Sequence, residues 1–233
     1  MDQTSGGFLE SLPPDLRKLV QSQLRVVRAR RGQALLGRGA SSTDIYFVLE
    51  GSFNVIVYSA NGREVSLRTL NAGDTFGELA AVDGLPRSAS VVAETESRVA
   101  GLRREDFLAA VRQSPDTALW LARMLTAKVR EMNERVFELS ALNVQARLHC
   151  ELLRLAKTGL DPNSLLIDPA PTHAELANRI GTHREAVTRE MRALADRNII
   201  RAGRRTLEFI DVARLEHFVG QAVGEVLEVP QAR

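Results

Sequence analysis

Residues 76–89 read Phe76-Gly77-Glu78-Leu79-Ala80-Ala81-Val82-Asp83-Gly84-Leu85-Pro86-Arg87-Ser88-Ala89. This stretch holds the parts that a pocket for a phosphate and a sugar requires. Gly77 lets the backbone approach a ligand closely, Glu78 can accept two hydrogen bonds from sugar hydroxyls, and Arg87 offers a planar fork to a phosphate. Ser88 and Ala89 add a hydroxyl and a small residue where bulk would block the pocket. Each residue taken alone also suits a glycine-rich loop between strands with an exposed Arg and Glu. The ordered spacing of all of them favours the pocket.

Working outward, the sequence from Leu24 to Leu102 has a hydrophobic period of two. Ile45, Phe47 and Leu49 alternate with Tyr46, Val48 and Glu50, and Phe53, Val55 and Val57 continue after Gly51, which predicts strands. Asn61-Gly62 between Tyr58 and Val65 predicts a hairpin, because both residues tolerate positive φ. Glycines 32, 39, 51, 62, 73, 77 and 84 punctuate the region, so many short strands joined by tight turns are expected, as an antiparallel barrel or roll. Before it, Leu12-Pro13-Pro14-Asp15 opens a short helix with Leu16, Leu19 and Val20 on one face.

After the strands, Arg103 to Phe107 begins a short helix that leads past Ser114-Pro115 into a long one. Ala118, Leu125, Met132, Leu139 and Ala122, Val129, Val136, Asn143 form a seam of period 3.5. Lys128, Arg130, Glu131, Glu134, Arg135 and Glu138 occupy the other faces. Such a helix is about 40 Å long at ~1.5 Å per residue. It either packs along its own barrel or, as its length favours, pairs with a second copy as a parallel coiled coil, making a homodimer. Asn143 suits an N-cap and breakpoint, and the next helix, from Val144, is expected to stop at Thr158-Gly159.

Beyond a proline-containing loop from Leu160 to Pro171, Thr172-His173-Ala174-Glu175 reads as a capping box opening a helix through Ile180, which Gly181 breaks. Thr182-His183-Arg184-Glu185 reads as a second box, opening a helix through Val187, Met191 and Leu194 to about Arg197. Two helices joined by a tight turn make a helix-turn-helix. Ile199-Ile200-Arg201, the turn Ala202 to Arg205, and Leu207 to Ile210 add a hairpin, the wing.

The chain has 233 residues, 44% hydrophobic and 26% charged, with a formal charge of +2. It is long enough for two domains, and its near-neutrality means that any attraction to nucleic acid must be local. Such a footprint exists: residues 172–205 carry eight Arg against four acidic side chains. Arg184, Thr188 and Arg192 share a helix face, flanked by Glu185 and Arg189. Arginine can grip a guanine edge and a carboxylate can accept from cytosine, so Arg184, Glu185 and Arg189 form a base-reading set. Thr182, His183 and, in the wing, Arg204 would touch phosphate. A helical hairpin with a solvated Arg face is the competing reading, which the capping boxes and the wing disfavour.

Cys150 is alone and the four histidines lie at 149, 173, 183 and 217, so the N-terminal part offers no ligand set for haem, a soft metal or an iron-sulfur cluster. No apolar run approaches the roughly 20 residues of a membrane span, and the first residues lack a secretory pattern; a cytoplasmic protein without a membrane partner is expected. Neither a Ser-His-Asp arrangement nor a Walker loop suggests an enzyme.

The order of these parts resembles the catabolite activator (CRP/FNR) family of bacterial transcription regulators. The resemblance covers roughly Leu12 to Ile210. It is carried above all by Phe76 to Ala89, which is similar to the family's phosphate-binding cassette, and by Arg184-Glu185-Ala186-Val187-Thr188-Arg189, similar to its Arg-Glu-x-Val-x-Arg recognition helix. It implies an α+β protein: a cyclic-nucleotide-binding β-roll over residues 1–114, a dimerisation helix over 115–142 and a winged helix-turn-helix DNA-binding domain over 143–233. Gly77, Glu78, Leu79, Arg87, Ser88 and Ala89 would hold ribose and cyclic phosphate. The base would meet Met132-Asn133, where the family's cyclic-AMP activator has Thr-Ser, so the resemblance leaves cAMP or cGMP open as effector. It further implies a homodimer on a palindromic TGTGA-like site in double-stranded DNA, with RNA polymerase as partner. A cyclic-nucleotide-binding regulatory subunit of an enzyme, or a regulator of this type gated by another signal, are the competing expectations.

Overall fold

A computed structural model describes residues 7–62, 64–158 and 165–224; the expected helix stop at Gly159 lies outside them. The chain divides into two compact units, residues 1–130 and 131–233.

The first unit is the expected antiparallel roll. After helix α1 (Pro14–Gln23), strands β1 (Arg25–Ala29), β2 (Ala34–Leu36), β3 (Ile45–Glu50), β4 (Phe53–Tyr58), β5 (Glu64–Leu70), β6 (Thr75–Phe76), β7 (Ser90–Ala93) and β8 (Ser97–Leu102) form two four-stranded sheets. Their orders are β1-β8-β3-β6 and β2-β7-β4-β5. The alternation in β3 serves two cores. Ile45 and Phe47 join Phe8, Phe107 and Leu121 on the helical side, whereas Val48 joins Phe53, Phe76, Val91 and Val99 between the sheets. Phe8 stacks on Phe47 at 5.0 Å and tilts against Trp120 at 5.2 Å.

Two local expectations are corrected. Leu19 is 54% exposed, so of the expected face α1 buries Val20 and packs Leu16 against the core but leaves Leu19 out; a ten-residue helix covers only a narrow stripe. At the β4–β5 turn, Gly62 has φ +78° but Asn61 does not adopt positive φ. Tyr58 pairs with Glu64, so the strands are joined by a loop longer than a two-residue turn.

Helix α2 (Glu78–Asp83) lies inside the cassette, α3 (Arg104–Gln113) follows β8, and α4 spans Pro115–Ala141. Within the first unit α4 presents Thr117, Leu121 and Met124 to the helical core. Of the predicted seam, Leu125 packs on this core, whereas Val129 is 58% and Val136 63% exposed, and Met132 and Leu139 are exposed too. The exposed apolar positions 129, 132, 136 and 139 thus continue the helix beyond the part that the helical core covers.

The second unit holds the end of α4, then α5 (Val144–Thr158), β9 (Leu166–Ile167), α6 (His173–Ile180), α7 (Arg184–Asp196), β10 (Ile200–Ala202), β11 (Leu207–Phe209) and α8 (Val212–Val223). Asn143 Oδ1 accepts the Ala146 amide at 2.9 Å, capping α5 as expected. The strands form an antiparallel sheet, β10-β11-β9. Leu148, Leu152, Leu176, Val187, Leu194, Ile199, Phe209 and Leu215 make one core.

The Thr172 box is complete: the Glu175 amide donates to Thr172 Oγ1 at 3.2 Å and the Thr172 amide to Glu175 Oε2 at 2.6 Å. Gly181, at φ +66°, ends α6. The second box does not form. His183 is the N-cap of α7 and no side chain caps it, because the Thr182 amide still closes the α6 exit on Ala177 O at 2.9 Å. Replacing Thr172 with alanine should cost about 1 kcal/mol of stability, read as a lowered denaturation midpoint; an unchanged midpoint would remove this cap from the account.

Candidate nucleotide pocket and nucleic-acid interface

The cassette is organised by Arg87, which is only 4% exposed. Its Nη1 donates to Gly77 O at 3.0 Å, Nη2 to Asp44 O at 2.7 Å and Nε to Ser42 Oγ at 3.1 Å. A guanidinium has five N–H groups, so one on each terminal nitrogen remains for a ligand such as a phosphate. Burial pulls the Arg87 guanidinium below its ordinary value, while Tyr46, Asp44 and Glu78 work in the opposite direction. Tyr46 supports it from below, its ring 5.9 Å from the guanidinium carbon and stacked on Phe76 at 5.2 Å.

Gly77 is needed here for a reason beyond ligand approach. Its φ is +81°, and a Cβ would lie 2.7 Å from Arg87 Nη1 and 2.9 Å from Asp44 O. The glycine makes room for the arginine. Glu78, first residue of α2, is buried, Leu79 is 48% exposed, Ser88 is exposed and Ala89 half-buried. The structure therefore brings Gly77, Glu78 and Arg87 together. Met132 and Asn133 lie in the second unit, and their expected role toward a base is carried by the resemblance, not by a contact within either unit.

Sequence reasoning missed Lys128. Its Nζ lies 2.8 Å from Glu78 Oε1 and donates to Thr75 O at 3.1 Å, leaving Glu78 Oε2 and one ammonium N–H. Burial draws the Lys128 ammonium below its ordinary value, Glu78 and Asp74 opposing and Arg68 reinforcing the shift. The signal was present in the spacing: residues 117, 121, 124 and 128 fall on one helical stripe, the one that faces the roll.

In the second unit, α7 presents Arg184, Glu185, Arg189 and Arg192 to solvent, with His183 exposed at its start and Arg204 exposed in the β10–β11 turn. Arg184, Glu185, Thr188, Arg189 and Arg192 line one open groove. The expected reading face is thus assembled. Thr188 has partners within the unit: its hydroxyl donates to Arg184 O at 3.0 Å and meets His173 Nδ1 at 2.8 Å. On the opposite side of α7, Glu190 Oε1 accepts from Gln145 at 3.0 Å and lies 2.8 Å from His149 Nε2. His149 stacks on Phe218 of α8, a helix beyond the predicted hairpin.

Behind this face is an ionic cluster that the sequence did not suggest. Glu151, 3% exposed, meets Arg179 of α6 at 3.3 Å, Arg135 of α4 at 3.0 Å and Arg154 of α5 at 3.0 Å. Arg154 also grips Glu138 with two bonds, 2.6 and 3.0 Å. The cluster joins α4, α5 and the first helix of the helix-turn-helix. Burial alone would raise the Glu151 carboxyl, but Arg135, Arg154 and Arg179 outweigh it and hold the carboxyl below its ordinary value.

An antiparallel roll with a buried cassette arginine, a long helix and a basic winged helix-turn-helix together define the class of transcription regulator that joins a nucleotide-binding type of roll to a DNA-binding module. Residues 26–114 match the cyclic nucleotide-binding domain and residues 146–218 the Crp-like helix-turn-helix domain. The chain is 34% identical over 186 residues to the cyclic AMP receptor protein of Thermus thermophilus, covering 80% of this chain and 84% of that protein. It is 31% identical to the cAMP-activated global transcriptional regulator CRP of Salmonella typhimurium, over 74% and 83% of the two chains. A solved CRP/FNR-family transcriptional regulator, also from Thermus thermophilus, aligns with a TM-score of 0.71 at 27% identity, over 85% of this chain and all of that one. The protein belongs to the CRP/FNR family of transcription regulators. Among the described residues no helix is long and apolar enough to cross a membrane.

Proposed function

We propose that the chain is a cyclic-nucleotide-responsive, homodimeric transcription regulator that binds an inverted-repeat TGTGA-like site, with cAMP or cGMP as effector. The observation that carries this reading is Arg87. It is buried and pre-positioned by three internal bonds, with two N–H groups left over, an arrangement whose chemistry suits a cyclic phosphate. Glu78 Oε2 is then the acceptor for a ribose hydroxyl. The cAMP-responsive relatives put cAMP first; Met132-Asn133 on α4 keeps cGMP a close second, because an Asn amide can serve either purine.

The uncovered seam on α4 supports a dimer, since Val129, Met132, Val136 and Leu139 are exposed at coiled-coil spacing. Dimerisation would set two α7 helices about 34 Å apart, matching successive major grooves. The nucleotide acts by favouring the DNA-competent arrangement, and RNA polymerase is the expected downstream partner.

The test is a gel-shift titration on a TGTGA palindrome with cAMP, with cGMP and with neither. One nucleotide should tighten binding by at least roughly fivefold, the low end of common coupling energies. Equal affinity in all three arms would sink the effector reading, and no retention of the palindrome in any arm would sink the DNA reading as well.

A further inference from the structure

The geometry points to His173 as a proton-linked DNA contact: tied through Nδ1 to the reading helix, it takes up a proton at Nε2 and binds a backbone phosphate beside the half-site. This inference rests on the DNA-binding reading above.

The tautomer follows from the hydrogen bonds around Thr188. A threonine hydroxyl has one proton, and here it goes to Arg184 O at 3.0 Å. The 2.8 Å contact between Thr188 Oγ1 and His173 Nδ1 must then be donated by the imidazole. The N–H of neutral His173 is thereby placed on Nδ1, and Nε2 is the nitrogen that titrates. Nε2 has no hydrogen-bond partner among the described residues, and His173 is half-buried rather than enclosed.

Position supplies the ligand. His173 is the first residue of α6, the helix that in a helix-turn-helix crosses the DNA backbone while the second helix enters the groove. It sits against Thr188, on the face shared by Arg184 and Arg192. The charges facing it from α7 are these two arginines. On α6 itself Glu175 turns back to the Thr172 amide. This is an environment built for an anion from outside.

In the free protein, burial and then Arg184 and Arg192 hold the imidazole below its ordinary value, so it meets DNA neutral near pH 7. A phosphate at Nε2 reverses that balance, and binding takes up a proton. The sign follows: the contact contributes fully below the pKa of the free protein and is lost as pH rises through the higher pKa of the complex.

The experiment is fluorescence anisotropy of full-length protein, with saturating cAMP or cGMP, on a labelled TGTGA-palindrome duplex from about pH 5.5 to 8.5 at fixed salt. Wild-type affinity should fall as pH rises, with a steepest slope approaching about two protons per dimer, one per half-site. His173→Asn keeps an amide donor where Nδ1 was, and so the Thr188 bond, but has no Nε2. It should bind like wild type at pH 8.5 and lose the His173 share of the slope, falling roughly tenfold behind at pH 6. A His173→Asn slope equal to wild type overturns the inference while leaving the DNA reading intact. Absence of binding by the wild type at every pH overturns both.

Discussion

Replacing Glu151 with alanine should cost the second unit about 3–5 kcal/mol, the penalty for removing one partner of a buried ionic group. Glu151 is 3% exposed and is the shared anion of Arg135, Arg154 and Arg179. Without it, guanidiniums from three helices face one another and lose the carboxylate they share. Arg154, whose side chain is 34% exposed, can turn its charge toward water, whereas Arg179 at 9% cannot. Calorimetric melting should show the transition of the second unit lowered, with that of the roll unchanged. A shift equal to that of a surface substitution would mean that solvent screens the cluster.

The same cluster predicts a pH dependence. The folded-state pKa of Glu151 is depressed below its ordinary value of 4.5. Its contribution is therefore fully present above that value and is lost as pH falls below it toward the folded pKa. Wild-type stability should decline through this acid window, and Glu151→Gln should decline less steeply there. Because the cluster ties α6 to the end of α4, these variants should also weaken the response of DNA binding to nucleotide.

Arg87→Leu should weaken nucleotide binding at least ~100-fold by calorimetry. Two charge-assisted bonds to phosphate at about 1.5–3 kcal/mol each amount to roughly 3–6 kcal/mol. Part of the loss is internal, because Gly77 O and Asp44 O give up their donors at 3.0 and 2.7 Å. A melting curve on the same sample separates unfolding from lost affinity. Arg87→Lys keeps a charge but cannot fill three internal bonds and a phosphate at once, so it should recover only part of the binding. Arg184→Ala is the control: it should leave nucleotide affinity unchanged and abolish recognition of the palindrome. Wild-type affinity in a folded Arg87→Leu protein would remove the cassette from the functional account.

The cassette and the recognition helix were legible because their chemistry is written over short spans. Gly77 and Arg87 are ten residues apart, and Arg184, Thr188 and Arg192 repeat at helical spacing. The Thr172 box needs only four consecutive residues, and the structure reproduces both of its bonds. The same local rule failed at Thr182, because the turn at Gly181 had already committed that amide to α6. Strand β9, with two residues, was too short to show a period, and its place in the sheet comes from pairing with β11, some 40 residues on. Helix α2 was hidden by the glycines that bound it, Gly77 and Gly84, both in left-handed conformation.

What the sequence by itself determined is the architecture and the identity of the reacting parts: roll, long helix, winged helix-turn-helix, one phosphate-type arginine and one basic reading face. Periodicity and capping act between near neighbours, so they survive in one dimension. Only the tertiary structure decided who partners whom. Lys128 meets Glu78 across 50 positions, Glu151 gathers Arg135, Arg154 and Arg179 from three helices, and His173 finds Thr188 across the turn. Charged side chains on a helix all read as solvated until the fold buries some of them. Burial removes the water that would otherwise satisfy them, and the partner that replaces that water is chosen by packing.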